Sequence, residues 1–219
     1  MKEDNTTLLT GTIRINDIPF LNDYEKLKKR LSIRLNNLER IHEKPQDTVY
    51  EPFLDFAISC HIDVSDVVGV HATCTVKKSM MKFIGVEKKR VFADALENGA
   101  KTRPPLTMPI ENYMEHLGFM GIGVEQEHQL MIATTKEFLY GASVVLYPGF
   151  LQKISGGKQL FLIPSSVHEW LYIEDLGRFT KEELTDLLRS VNREVVSEEE
   201  VLSNWLYYYD GRKDEIRRA

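Results

Sequence analysis

The stretch IPSSVHEW, residues 163–170, gathers two hydroxyls, an imidazole and a carboxylate within five positions. Ser166, His168 and Glu169 are candidate catalytic residues for a hydrolase-like reaction, in which a base activates a serine and nearby donors hold the oxyanion. The segment lacks a G-x-S-x-G elbow, because no glycine flanks PSS, so the spacing alone does not present the serine to a substrate. The same residues serve equally well as a turn, with Ser165 and Ser166 bonding turn amides and Glu169 accepting from backbone N–H groups. A strand over 167–173 would put Val167, Glu169, Leu171 and Ile173 on one face and His168, Trp170 and Tyr172 on the other. Glu169 is then a carboxylate on an aliphatic face, and it needs a donor, a cation or solvent.

Metal chemistry is weakly written. HEWLY begins like H-E-x-x-H but carries Tyr172 at the second ligand position, which excludes the metalloprotease pattern. Cys60, His61, His71 and Cys74 place two thiols and two imidazoles within fifteen residues. Their spacing is not C-x-x-C, and Cys60 reads as a packed thiol at the end of an apolar helix. No metal and no cofactor is expected. GFMGIGVE has a helix before it rather than a strand, and ISGGK lacks the P-loop spacing, so neither supports nucleotide binding. Lys26, Lys28, Lys29, Arg30, Arg34 and Arg40 read as the solvated face of a helix, offset in part by Glu25, Glu39 and Glu43. The aromatic run NWLYYYD offers a second recognition element. Together with the turn, Ser165, Trp170, Tyr172, Trp205 and Tyr207 are the candidate ligand or partner surface, since Trp and Tyr are over-represented in binding hot spots.

Composition narrows the classes. A chain of 219 residues buries roughly 70% of its unfolded surface, enough for a core without staples. The net charge of −5 gives no general attraction to phosphate backbones, so a protein partner is expected ahead of a nucleic acid. Two cysteines exclude a disulfide framework. No apolar run is long enough to span a membrane, and MKEDNTTLLTG has no signal-peptide core, so a cytoplasmic location is expected.

The elements that must position these residues follow from periodicity. TLLTGTIRIND reads as a short strand with a turn at Asn16 and Asp17. Leu27, Leu31, Leu35, Leu38 and Ile41 predict an amphipathic helix capped by Asp23. PFLDFAISCHID predicts a buried helix, and VVGVHATCTV a strand. KSMMKFI predicts a helix stopped by Gly85, and EKKRVFADALENGA a helix ended by Asn98 and Gly99. KTRPPLTMP reads as a linker, and a short helix follows in IENYMEHLG. LMIATT, GASVVLY, QLFLIP and HEWLYIED predict strands, with a helix in PGFLQKI. Thr180 with Glu183, and Ser197 with Glu200, predict capping boxes opening two C-terminal helices.

From about Leu27 to Asp210 the chain resembles an uncharacterised bacterial family, the domain-of-unknown-function 5688 family. The shared motifs are LNNLERI, FLDFA, YGASVVLYP, LIPSSVHEWLYI and EEVLSNWLYYYD. The resemblance implies a shared fold and a focus on the PSSVHEW region, and no reaction. The expected architecture is α+β: a helical N-terminal half, an antiparallel sheet around 129–173, and closing C-terminal helices. It is expected to form one domain over 1–219, with a subdivision near 101–109 left open. The expected function is a non-enzymatic binding or regulatory module, with a Ser-His-Glu hydrolase as the alternative.

Overall fold

The leucines between positions 27 and 41 satisfy a helical period and a strand period at once. The structure, a computed structural model describing residues 14–43, 47–116, 118 and 130–219, resolves that ambiguity in favour of the strand. Helix α1 (Tyr24–Leu27) is a single turn, with the Asp23 carboxylate accepting from the Lys26 N–H at 3.3 Å. A 3-10 turn (Lys28–Arg30) leads into β1 (Leu31–Asn37). Leu31, Ile33 and Leu35 alternate with Ser32, Arg34 and Asn36, which is the period of two. The three apolar side chains are almost fully buried, and the strand pairs along its whole length with β3.

The second predicted helix, PFLDFAISCHID, is also strand: a hairpin of β2 (Tyr50–Phe53) and β3 (Phe56–Asp63). β3 is buried on both faces, and periodicity cannot separate such a run from a buried helix. Leu54 takes a left-handed backbone (φ 52°) in the hairpin turn. Helix α2 (Ser65–Val68) and β4 (Thr73–Thr75) follow, so the predicted strand over VVGVHATCTV keeps only its second part. The first sheet is antiparallel, in the order β1-β3-β2, with β4 pairing the far end of β3.

Helix α3 (Lys78–Ile84) stops at Gly85 as predicted, where φ is 72°. Helix α4 (Lys88–Thr102) passes through Asn98 and Gly99 instead of ending there. Gly99 is buried under Tyr147 where the helix crosses β1, and the Asn98 amide donates to the Lys29 and Leu31 carbonyls at 3.0 and 2.8 Å. The linker-like KTRPPLTMP forms β5 (Pro105–Pro109), which is tolerated because an edge strand has one side free of ladder bonds.

Helix α5 (Ile110–His116), β6 (Met131–Thr135) and α6 (Phe150–Ser155) follow, as do β7 (Gln159–Ile163), β8 (Trp170–Glu174) and α7 (Lys181–Glu194). All six lie in predicted elements of the same type. Thr180 and Glu183 form the predicted reciprocal box at the start of α7. GASVVLY is a buried 3-10 helix (Gly141–Leu146) packed against β1 and β6, not a strand. Ser197 and Glu200 share a 2.8 Å hydrogen bond but open only a 3-10 turn. The predicted final helix is instead a hairpin, β9 (Tyr207–Asp210) and β10 (Glu215–Arg218), in which Tyr207 and Tyr209 face inward. The second sheet, all antiparallel, runs β10-β9-β7-β8-β6-β5.

The expected division into a helical first half and a sheet-bearing second half is therefore overturned. The fold is α+β, with helices interspersed among the strands of two antiparallel sheets. One apolar core holds Ile33, Leu35 and Phe56 of the first sheet together with Leu162, Trp170 and Tyr207 of the second. A second core packs Leu184 and Leu188 of α7 on Ile132, Phe161 and Leu171. The predicted N-terminal strand lies partly in 1–13, outside the described residues, while Ile15–Asp17 forms a 3-10 turn. GFMGIGVE, apart from Gly118, also lies outside them.

Candidate functional site

The chain between β7 and β8 turns through Pro164, Ser165, Ser166 and Val167, and its polar groups are closely paired. Ser166 Oγ donates to Glu169 Oε1 at 2.7 Å and accepts from the His168 backbone N–H at 2.9 Å. Ser165, Ser166 and Glu169 are all buried. Burial pushes the Glu169 carboxyl above its ordinary range, and the serine hydroxyls and nearby His168 oppose that shift only in part. Tyr113 of α5 faces the same carboxylate, and burial followed by that charge pushes its phenol up. The carboxylate on an aliphatic face has thus found hydroxyl donors.

His168 points elsewhere. Its Nδ1 accepts from the Tyr140 backbone N–H at 3.0 Å, and its Nε2 lies 3.1 Å from Glu200 Oε1. The first bond leaves Nδ1 without a proton, so Nε2 carries the hydrogen and donates to the carboxylate. Although burial opposes it, hydrogen bonds from Ser197 and His168 hold the Glu200 carboxyl below its usual range. The Ser166 hydroxyl reaches the backbone of His168 and the side chain of Glu169, and the imidazole is spoken for on both nitrogens. Ser166, His168 and Glu169 are neighbours without being a nucleophile–base relay.

The aromatic candidates meet in the core. Trp170 and Tyr207 pack edge-to-face at 5.6 Å, with Phe56 of the first sheet against both, and neither is exposed. The Trp170 indole donates to the Ala142 carbonyl at 2.9 Å. Tyr207 donates to Asp55 in the β2–β3 turn, which joins the FLDFA and NWLYYYD motifs across the two sheets. Tyr172 is 7% exposed and lines a cavity of about 600 Å³ with Leu160, Glu174 and Phe179, remote in lining from His168. Trp205 is 49% exposed, beneath the Arg218 guanidinium at 4.5 Å.

Cys60 and His61 are adjacent on β3 and so face opposite sides of the sheet. Cys74 lies opposite Ile62, on the Cys60 face, and burial pushes both thiols up. His61 faces Ser59 Oγ at 2.9 Å, and His71 lines a surface cavity instead. Among the described residues, no group of three His, Cys, Asp or Glu side chains is placed to hold a metal ion. Likewise, no described helix is long and apolar enough to cross a membrane.

What periodicity missed is the loop after β6 and the strand it covers. Phe138 and Tyr140, neither of them glycine, both adopt left-handed backbones (φ 54° and 51°). Gly141 follows, where a Cβ would come within 2.6 Å of the His168 carbonyl. The Tyr140 ring lies 5.2 Å from His168, and the Arg34 guanidinium sits over it at 3.4 Å. Arg34 and Arg103 line one cavity of about 200 Å³, and Tyr140, Asn36 and Glu200 border another of about 570 Å³. Arg34 was hidden in the sequence by the helical reading, which put it among solvated lysines. The alternation in LSIRLN was the signal that it lies on the polar face of a strand.

No curated protein and no solved structure matches the chain. The model of the family of unknown function DUF5688 matches residues 9–211, and the chain belongs to that family.

Proposed function

We propose that the chain is a non-enzymatic binding or regulatory module whose ligand is taken in the cleft around Tyr140, between the two sheets. The observation that carries this reading is the state of His168. Both ring nitrogens are engaged, one by the Tyr140 N–H and one by Glu200. Ser166 therefore has no imidazole to activate it and is buried with Glu169. The turn fixes the Tyr140 loop, and the loop borders the cleft.

The test pairs two measurements on the purified chain. A broad esterase and phosphatase panel is expected to be silent. A thermal-shift screen of small metabolites is expected to reveal a ligand class whose effect is lost when Tyr140 is replaced by Ala. Hydrolysis abolished by Ser166→Ala would overturn the reading in favour of the enzyme.

A further inference from the structure

We infer that the cavity lined by Arg34 and Arg103 is a phosphoryl site, taking free phosphate or a small phosphomonoester. This rests on the reading of the Tyr140 region as a binding site: the Arg34 guanidinium lies on the Tyr140 ring, and its cavity is a neighbour of the one that Tyr140 borders.

Arg34 is the starting point. Its Nη2 donates to Thr73 Oγ1 at 2.6 Å and its guanidinium lies on Tyr140, but Nε is buried with no hydrogen-bond partner. No carboxylate among the described residues pairs with it. Arg103, also in the lining, donates to the Leu139 carbonyl and likewise has no ion pair among the described residues. Burial, with Arg103 adding repulsion, depresses the Arg34 guanidinium to about 10 despite its contact with Tyr140. Taking a guanidinium out of water without a counter-ion is costly, and a methionine would fill the same space more cheaply. An oxyanion would repay that cost at Arg34, and Arg103 on the same cavity supplies a second fork, because guanidinium forks match phosphoryl oxygens.

The other charged groups of the lining offset this pair in part and leave a net excess of positive charge. Arg30 is already held by a bidentate bond to Asp66, at 2.7 Å for both contacts. Asp63 accepts from the Ser65 N–H at 2.8 Å, and Glu137 is an exposed residue. Lys29 adds a further cation, and Ser32, Thr73 and Thr102 add hydroxyls. Two guanidinium forks offer more donors than one carboxylate can accept, which favours a phosphoryl group over a monocarboxylate. The cavity, at about 200 Å³, is below the roughly 300–1,000 Å³ that encloses a drug-sized ligand, so the organic remainder is small or absent. Left-handed backbone at two non-glycine residues, Phe138 and Tyr140, holds the loop that closes this side, and strain of that kind collects at ligand clamps.

The experiment follows the melting temperature and the ³¹P linewidth of inorganic phosphate with the full chain, at ionic strength held constant with chloride. Glycerol phosphate and acetate serve as parallel arms. Phosphate is expected to raise the melting temperature in proportion to the logarithm of its concentration, and its ³¹P signal to broaden. Both effects should vanish in Arg34→Met and weaken at least tenfold in Arg34→Lys, which keeps the charge but not the fork. If Arg34→Met does not fold, Arg103→Met and Arg34→Lys carry the same comparison. Glycerol phosphate binding more tightly than phosphate assigns the monoester, and the reverse assigns the free ion. Acetate as effective as phosphate, or variants responding like the parent, would overturn the inference. A phosphate-free metabolite that stabilises the parent but not Arg34→Met, with phosphate inert, removes the phosphoryl class and leaves the binding cleft standing.

Discussion

Two polar clusters flank Tyr140, and they differ in how completely they are satisfied. In the PSSVHE turn, Ser166 pairs with Glu169, and His168 uses one nitrogen for the Tyr140 N–H and the other for Glu200. Around Arg34 the hydrogen-bonding capacity is left over: Nε is buried and unpartnered, and no carboxylate among the described residues answers either Arg34 or Arg103. A buried polar network that is fully paired rigidifies the fold, whereas a buried charge without its partner costs stability. The residues that look most catalytic in the sequence are paired within the fold, and the one that looks like surface decoration, Arg34, keeps hydrogen-bonding capacity to spare.

That contrast can be broken experimentally. The largest effect is expected for Gly141→Ala, because the new methyl group would press into the Thr135 N–H and the His168 carbonyl together. A loss of about 3 kcal/mol or more in urea unfolding is expected, in the range of core overpacking. Unchanged stability would mean that the loop does not depend on the close approach. His168→Ala comes next. It strands the Tyr140 N–H and removes a partner of Glu200, so a loss of about 1–3 kcal/mol is expected in the same measurement.

Glu169→Gln should be milder at neutral pH, within about 1 kcal/mol, since the amide oxygen still accepts from Ser166. Its signature is the pH profile. A carboxyl whose folded value is raised above 4.5 binds more protons folded than unfolded, so its contribution is fully present below 4.5 and is lost as pH rises through the raised value. The parent should lose stability over that window relative to Glu169→Gln, and parallel profiles would refute the burial of an ionisable group there. Arg34→Met should have the smallest effect on unliganded stability, no loss or a gain of up to about 1 kcal/mol, because it removes an uncompensated charge while keeping much of the packing volume. A loss as large as that of His168→Ala would make Arg34 structural and erase the contrast.

Legibility in the sequence followed the locality of the forces. The capping box at Thr180 and Glu183 and the Gly85 stop are settled by near neighbours, and both were readable. So was the demand of Glu169 for a donor, because strand alternation alone placed it on an apolar face. The helical readings of 23–41 and 52–63 failed because both periods fit the same leucines, or because a strand buried on both sides has no polar period to show. NWLYYYD failed for a related reason: Tyr207 and Tyr209 reach the main core while Tyr208 packs on Phe161 at 5.4 Å, so all three look alike in sequence.

By itself, the sequence determined the family, the α+β class, the local caps and the polar character of the PSSVHE turn. Each of these depends on residue type and on spacings of a few positions. Only the tertiary structure decided which polar groups are paired. Arg34 and Tyr140 are more than a hundred positions apart, and His168 meets Glu200 across 32 residues. Pairing over such separations is set by strand register and sheet packing, which no local pattern encodes. It is pairing that divides a group satisfied within the fold from one left with spare hydrogen-bonding capacity.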